Sequence, residues 1–277
     1  MSQRTIVITG ASDGIGASAA RTFSKAGDNV VIVGRSEAKT KAIATELNAD
    51  YFLADFSELE QVRTLATQLR ASYPRIDVLA NNAGGIMGKH QLTIDGHEST
   101  FQINHLAPFL LTTELMDVLT ASSAKIINTS SMANGFGRLD LQHINSESKY
   151  ATNRAYGTAK LANILFTSEL HRRFGQVSPG REGITTAAFH PGVVRTNFAS
   201  ESSSAMRHAY KTLLNRFMLS PEQGADTLVW LANGTPGRDW DSGAYYVKRA
   251  VAKANKQAYD ADLARQLWDS SAELVNA

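Results

Sequence analysis

Short β-branched runs alternate with amphipathic stretches along the whole chain, and this alternation constrains the fold more than any other feature. Several of the runs are apolar on both faces, as strands buried between two layers of helices must be. The pattern predicts an α/β fold, a doubly wound parallel sheet of about seven strands between two helical layers. The predicted strands are Thr5–Thr9, Asn29–Gly34, Asp50–Leu53, Ile76–Asn81, Lys125–Thr129, Ile184–His190 and Gly243–Val247.

Helix starts can be predicted from capping patterns, in which a short polar side chain precedes an acidic or amide residue by three positions. Three such patterns occur, at Ser57 with Glu60, at Asp95 with Glu98, and at Ser220 with Pro221 and Gln223. No linker, repeat or low-complexity segment interrupts the alternation. Residues 1–277 are therefore predicted to form a single domain.

Composition excludes several classes of protein. The 43 % of hydrophobic residues and a net charge of only +2 exclude bulk disorder and give no footprint for nucleic acid. Cysteine is absent, so disulfides and thiolate chemistry are excluded. The apolar runs are strand-sized, and the first strand begins directly after Arg4, so we expect no membrane span and no signal peptide. The expected location is the cytoplasm.

A glycine-rich turn follows the first predicted strand and leads into an apolar-periodic helix. Glycines at such a turn let the backbone approach a pyrophosphate, and the helix N-terminus offers free N–H groups. The spacing is Gly-x3-Gly-x-Gly, which differs from the common Gly-x-Gly-x-x-Gly pattern of dinucleotide sites. The turn comprises Gly10, Ala11, Ser12, Asp13, Gly14, Ile15 and Gly16.

The same turn also satisfies Gly-x-Ser-x-Gly, the nucleophile elbow of serine hydrolases, with Ser12 as the nucleophile. An elbow needs preceding strands to supply its oxyanion loop, and only nine residues precede Gly10. A hydrolase using Ser12 is therefore the weaker alternative.

The second predicted strand ends in Gly34-Arg35, where an NAD site would carry an acidic residue for the ribose 2′-hydroxyl. Arg35 can pair with a 2′-phosphate instead, so this position predicts NADP(H) in preference to NAD(H). The acidic side chain of Asp13 in the glycine turn weakens that preference. A role for Arg35 as a solvated loop charge is the alternative.

Five ordered motifs, each at a predicted strand end or helix start, together resemble the short-chain dehydrogenase/reductase family over nearly the whole chain. They are the turn Thr9–Gly16, Asn81-Asn82-Ala83-Gly84, Ser131 after the fifth strand, Tyr156-Gly157-Thr158-Ala159-Lys160, and Pro191-Gly192 with Thr196 beyond. A single Tyr-x3-Lys motif is weak evidence for this family, but the five motifs in this order are specific to it.

The resemblance implies a catalytic group of Ser131, Tyr156, Lys160 and Asn104. Tyr156 and Lys160 lie one helical turn apart, so an ammonium would lie beside the phenol and favour its ionised form. Tyr156 would then exchange a proton with the substrate oxygen, and Ser131 would stabilise charge on that oxygen. The resemblance also implies that Lys160 holds the nicotinamide ribose and that Asn104 supports a proton-relay water.

The resemblance also implies the cofactor contacts. Gly10, Ser12, Gly14, Ile15 and Gly16 would meet the pyrophosphate and ribose, and Asp55 the adenine amino group. The remaining members of the implied cofactor set are Asp13, Arg35, Phe56, Asn82, Ala83, Gly84, Thr129, Tyr156, Lys160, Pro191, Gly192, Val194 and Thr196. His190, beside Pro191, is interpreted as structural, and no metal site is predicted.

Ser131 and Tyr156 are twenty-five residues apart, with a polar segment, 134–154, between them. Together with the segments Asn104–Leu106, Leu161–Phe166 and Leu263–Trp268, this spacing resembles the retinol-dehydrogenase-like branch of the family. A small substrate lid is predicted at about 197–219, and Met87, Met132 and Phe136 near the same sheet edge predict an apolar carbonyl or alcohol substrate. An idle NADP-binding scaffold or sensor is the other alternative, and a homo-oligomer is an open option.

Overall fold

A mostly parallel sheet forms the centre of the molecule. The structure is a computed structural model that describes residues 3–148, 150–178, 181–194 and 218–276. Within these ranges the sheet contains β1 (Thr5–Thr9), β2 (Asn29–Gly34), β3 (Asp50–Leu53), β4 (Val78–Asn81), β5 (Lys125–Thr129), β8 (Thr185–His190), β9 (Ala244–Val247) and β10 (Ala250–Val251). A separate hairpin pairs β6 (Gln176–Ser178) with β7 (Arg181–Glu182).

The strand order is β10-β9-β8-β5-β4-β1-β2-β3. All pairs are parallel except that of the edge strand β10 with β9. The prediction of a doubly wound sheet with about seven parallel strands is confirmed. The sequence pattern missed β10 and the β6–β7 hairpin, because both are too short to show an apolar period.

Helices cover both faces of the sheet. In the described part of the chain they are α1 (Gly14–Lys25), α2 (Glu37–Leu47), α3 (Leu59–Ser72), α4 (Ser99–Phe101), a π-helical segment (Gln102–Leu106), α5 (Ala107–Glu114), α6 (Met116–Ala121), α7 (Thr152–Phe174), α8 (Pro221–Asn233) and α9 (Ala261–Val275). Short 3₁₀ turns lie at Met132–Phe136, Leu141–His143 and Lys256–Tyr259.

Alternate strand residues supply two separate cores, as a sheet with helices on both faces requires. Ile6 and Ile8 of β1 face α1 and α8, whereas Val7 between them faces the layer that contains α3, α5, α7 and α9. All three side chains are fully buried. This double burial explains why the strands appear in the sequence as continuous apolar runs.

Two of the three predicted capping patterns are wrong, because their side chains bond elsewhere. Ser57 donates to the carboxylate of Asp55, and α3 begins after Glu58 without a side-chain cap. Asp95 accepts from the backbone N–H of Leu59, and Glu98 itself caps α4. The third pattern is confirmed as a capping box at the start of α8, with Ser220 as its N-cap.

Candidate active site

The first three turns of α7 bring Tyr156 and Lys160 onto one face, and both side chains are buried. The Lys160 ammonium nitrogen lies 5.5 Å from the centre of the Tyr156 ring and donates to the Thr129 carbonyl at 3.1 Å. Burial lowers the pKa of Lys160 to about 7. A phenol and a buried cation therefore lie together beside the carboxyl end of β5.

Asn104 lies in the π-helical segment, where an extra residue per turn shifts the side chains relative to an α-helix; such segments often occur at functional sites. Its amide accepts from the Gly85 N–H at 3.1 Å and donates to the carbonyls of Gly85 and Thr100. A Cβ on Gly84 would overlap the Asn104 oxygen and lie 3.2 Å from the Lys160 nitrogen. The glycine therefore allows Asn104 and Lys160 to approach each other.

Ser131 is half-buried and caps the 3₁₀ turn after β5, accepting from the Ala133 N–H at 3.2 Å. That turn packs on α7 through Gly157, where a Cβ would overlap the Ala133 carbonyl. Because Gly157 follows Tyr156, this close approach brings Ser131 to the Tyr156 end of α7. The neighbouring Ser130, which the sequence did not single out, donates to the Lys160 carbonyl at 2.7 Å.

The glycine turn packs directly against the end of β4. Gly10 has a φ of +65°, and a Cβ there would lie 2.8 Å from the Cα of Ala83. The Asn82 amide donates to the Thr9 and Gly10 carbonyls at 2.9 and 3.3 Å, while the Thr9 hydroxyl accepts from the N–H groups of Asn82 and Ala83. Asn82 thus supports the turn through its side chain.

The N-terminus of α1 carries a mixed charge. Asp13 caps this helix by accepting from the Gly14 N–H, and its second oxygen lies 3.5 Å from the ammonium of Lys39. Arg35 is exposed at the end of β2, and Ser12 of the turn packs beside Gly34. Lys39, which the sequence analysis missed, follows Arg35 by four residues and adds a second cation here.

Other members of the predicted cofactor set lie along the same sheet edge. One oxygen of Asp55 accepts from the N–H and hydroxyl of Ser57, and the Phe56 ring is buried in the core. The Thr129 carbonyl accepts from Lys160, while its buried hydroxyl has no partner among the described residues. Asp55 and Thr129 thus face this edge with polar groups, whereas Phe56 offers only its backbone.

Pro191, Gly192 and Val194 follow β8, and Gly192 adopts a φ of +90°. Val194 reaches the glycine turn: a Cβ on Gly224 of α8 would lie 2.6 Å from Val194 and 3.0 Å from Ile15. Gly224, which sequence reasoning missed, therefore allows α8 to pack closely against Val194 and Ile15. Thr196 and the predicted lid, apart from Met218 and Leu219, lie outside the described residues.

A family model described as short chain dehydrogenase matches residues 4–207. The chain belongs to this family. Membership of this family of oxidoreductases acting on CH–OH and C=O groups favours the dehydrogenase over the alternative of a hydrolase using Ser12. The predicted retinol-dehydrogenase-like character is confirmed by the relatives below.

Two curated relatives match almost the full chain. The first is the protein named "Putative daunorubicin C-13 ketoreductase DnrU" from Streptomyces sp. (strain C5), 40 % identical, with 98 % of this chain and 92 % of that protein covered. The second is human retinol dehydrogenase 13, 35 % identical, with 98 % and 84 % covered. The chain therefore shares its family and reaction type with these relatives, and the similarity extends over nearly its full length.

Two solved structures share the fold. One is an uncharacterized protein from Mycobacterium paratuberculosis, 32 % identical, with a TM-score of 0.78 over 100 % of this chain and 94 % of that one. The other is a "putative short chain dehydrogenase" from Escherichia coli CFT073 complexed with NADPH, 26 % identical, with a TM-score of 0.67 over 89 % and 96 %. Both structures therefore have the same doubly wound fold as this chain.

The donor set of this dehydrogenase fits a nicotinamide dinucleotide. A glycine turn leads into the N-terminus of α1, two cations lie near the end of β2, and a buried ammonium lies near the end of β5. Within the described ranges no group of three His, Asp or Glu side chains could hold a metal ion, and no helix is long and apolar enough to cross a bilayer.

His190 is buried after β8, and burial lowers its pKa to about 4, so it is neutral at physiological pH. Its Nδ1 has no hydrogen-bond partner within the part of the chain that the structure describes. The ring therefore takes up no second proton near neutral pH, and the interpretation of His190 as structural stays a prediction.

Proposed function

We propose that this dehydrogenase reduces an apolar ketone or aldehyde with NADPH, and that the reverse alcohol oxidation uses the same residues. The observation that carries the proposal is the buried pair of Tyr156 and Lys160, with the ammonium 5.5 Å from the ring centre and held by the Thr129 carbonyl. A buried lysine next to a tyrosine is costly to maintain and makes sense as part of an acid–base group.

In the proposed reaction Tyr156 donates its phenolic proton to the substrate oxygen. The Lys160 ammonium favours the phenolate that remains, because an adjacent positive charge stabilises the ionised form. Ser131, at the Tyr156 end of α7, donates a hydrogen bond to the same oxygen and stabilises its developing charge. Bound NADPH supplies the hydride.

The preference for NADPH rests on Arg35 and Lys39 near the end of β2. A charge-assisted contact to the 2′-phosphate contributes about 1.5–3 kcal/mol, or about ten- to hundredfold in affinity. Arg35→Ala should weaken NADPH binding by that factor and leave NADH binding unchanged in calorimetry. Lys41→Ala, on the exposed face of α2, is the matched control. Equal affinity of the unmodified protein for the two cofactors would contradict the preference.

An apolar substrate is proposed because two large apolar side chains are exposed in the 3₁₀ turn that Ser131 caps. Met132 and Phe136 of the following 3₁₀ turn are 65 % and 76 % exposed. Exposed apolar groups beside a reactive centre favour apolar ligands. The names of two relatives refer to a C-13 ketoreductase for daunorubicin and to a dehydrogenase for retinol, so both name a large organic carbonyl or alcohol substrate.

The experiment is a comparison of kcat/KM for NADPH-dependent reduction of an aromatic ketone, retinal, a medium-chain aldehyde and a phosphorylated sugar. The proposal predicts turnover of at least one apolar carbonyl and a clear preference for it over the sugar. A preference for the sugar would overturn the substrate class, and tight NADPH binding without any turnover would favour the scaffold alternative. Cytoplasmic location, the lid and a homo-oligomeric state stay predictions.

A further inference from the structure

A chain of buried hydrogen bonds connects the C-terminal helix α9 to Lys160. The Ser271 hydroxyl lies 2.9 Å from Nε2 of His105, and Nδ1 of His105 lies 3.3 Å from the Asn163 side-chain oxygen. The Asn163 amide donates to the Thr129 carbonyl at 3.1 Å, which is also the acceptor for the Lys160 ammonium. All these side chains are buried, and Ser271 and His105 fully so.

The chemistry of the groups fixes the direction of the chain. Because the Asn163 nitrogen donates to Thr129, its oxygen must accept, so Nδ1 of His105 carries the proton. Nε2 of the same neutral ring is then an acceptor and receives a hydrogen bond from the Ser271 hydroxyl. Every bond therefore points from α9 towards the carbonyl that holds Lys160.

The apolar surroundings of His105 keep its ring in one protonation state, and with it the direction of the hydrogen bonds. The rings of Phe101, Phe109 and Phe166 lie 5.0, 6.2 and 5.9 Å from it, and they carry no charge. Burial lowers the pKa of His105 to about 4, so the ring is neutral near pH 7. A buried network with each member satisfied is rigid, and its partial loss is costly.

We propose that Asn163 is a positioning residue for Lys160, and that His105 and Ser271 hold Asn163 in the orientation this requires. The proposal rests on the proposed role of Lys160 beside Tyr156. A long, flexible lysine side chain has one described acceptor here, the Thr129 carbonyl. The Asn163 amide donates to the same carbonyl and holds it in place, and this fixes the direction in which the Lys160 ammonium points. The C-terminal helix thereby becomes part of the support for the acid–base group.

Asn163→Leu, which keeps the approximate shape of the side chain, tests the proposal. Thr112→Val is the matched control, because Thr112 is a fully buried helix threonine of α5 whose hydroxyl bonds the Asn81 amide and the Pro108 carbonyl, outside the chain that leads to Lys160. Ser271→Ala removes the far end of the chain without altering α7. If Asn163→Leu does not fold, Ser271→Ala takes its place against the same control.

We expect Asn163→Leu to lower kcat about tenfold to a hundredfold while KM for the carbonyl substrate stays unchanged. A displaced ammonium stabilises the phenolate less, so the pKa of Tyr156 rises and the pH of half-maximal alcohol oxidation moves up, by about one unit. The titratable group facing Lys160 is Tyr156 of α7, with the neutral Asn104 on the π-helical segment. Ser271→Ala should give smaller changes in the same direction.

Binding of NADPH, measured by calorimetry, gives a readout that does not require turnover. Asn163→Leu should weaken NADPH binding several-fold, whereas Thr112→Val should leave the affinity and the pH profile unchanged despite a similar loss of melting temperature. Equal effects of both variants, or no effect of Asn163→Leu on pH profile and affinity, would overturn the proposal. An unmodified protein without reductase activity would instead contradict the proposed function, and the binding comparison would still decide the role of Asn163.

Discussion

Replacing Lys160 by methionine should make the cofactor-free protein more stable and the enzyme inactive. The ammonium is buried, and its pKa is lowered from 10.5 to about 7 by burial. The folded protein therefore binds this proton less tightly than the unfolded chain does. The free energy of unfolding consequently rises as the pH increases from about 7 to 10.5, and the buried charge costs most below pH 7.

The size of this cost follows from the difference between 10.5 and about 7. At about 1.4 kcal/mol per pH unit it amounts to about 5 kcal/mol, an upper limit at low pH. Methionine fills a similar volume without a charge, and the change removes one hydrogen bond to Thr129, worth about 1 kcal/mol. A net gain of about 2–4 kcal/mol remains, which raises the melting temperature by roughly 5 °C or more.

The assay is thermal unfolding of both proteins without cofactor at pH 6 and pH 9. Lys160→Met should melt higher at pH 6, and the difference should shrink at pH 9. Lys125→Met is the matched control, because Lys125 is a partly buried lysine that donates to the carbonyls of Ala232 and Gly234 at the end of α8. Burial also lowers the pKa of Lys125, but less strongly, so the melting temperature of this control should differ less between pH 6 and pH 9, and its activity should be kept. A Lys160→Met protein that melts below the unmodified protein at pH 6 would refute the reasoning.

Two further substitutions probe the packing around the pair. Gly84→Ala should lower kcat sharply and cost about 1–3 kcal/mol, because its Cβ would displace Asn104, whereas Gly135→Ala has open space around it and should be neutral in unfolding and rate assays. Ser131→Ala should lower kcat by about 10²–10³ and also reduce stability by about 1 kcal/mol, since Ser131 caps the 3₁₀ turn. A loss of stability alone would assign Ser131 to capping only.

Much of the fold could be predicted from the sequence because buried parallel strands leave a continuous apolar signal. The bounds of β1, β2, β3 and β5 agree with the prediction, and β4, β8 and β9 begin one or two residues later. Helix starts were harder to predict, because a polar side chain just before a helix can bond a distant residue instead of capping that helix. Asp95 bonds Leu59, which lies 36 residues away, and no local pattern reveals that choice.

The motif residues of the candidate site could also be found, because each follows a strand end in the sequence. The residues that support them could not. Ser130 and Asn163 act through contacts to the Lys160 and Thr129 carbonyls, so their partners depend on how α7 packs on β5. Gly224 packs close to Val194 and Ile15, and these three residues come from segments that are far apart in the sequence. Only Lys39 had a local signal, its four-residue spacing from Arg35.

The most direct test of the account is Tyr156→Phe, which removes the phenolic oxygen and keeps the ring that packs beside Lys160. Two quantities are measured on the same preparation: the rate of NADPH-dependent reduction of the best apolar substrate, and the affinity for NADPH. The account predicts that turnover falls by at least about 10²-fold while NADPH binding changes little, because only the proton donor is lost. Retention of most of the activity with intact cofactor binding would contradict the assignment of Tyr156 as the acid–base group.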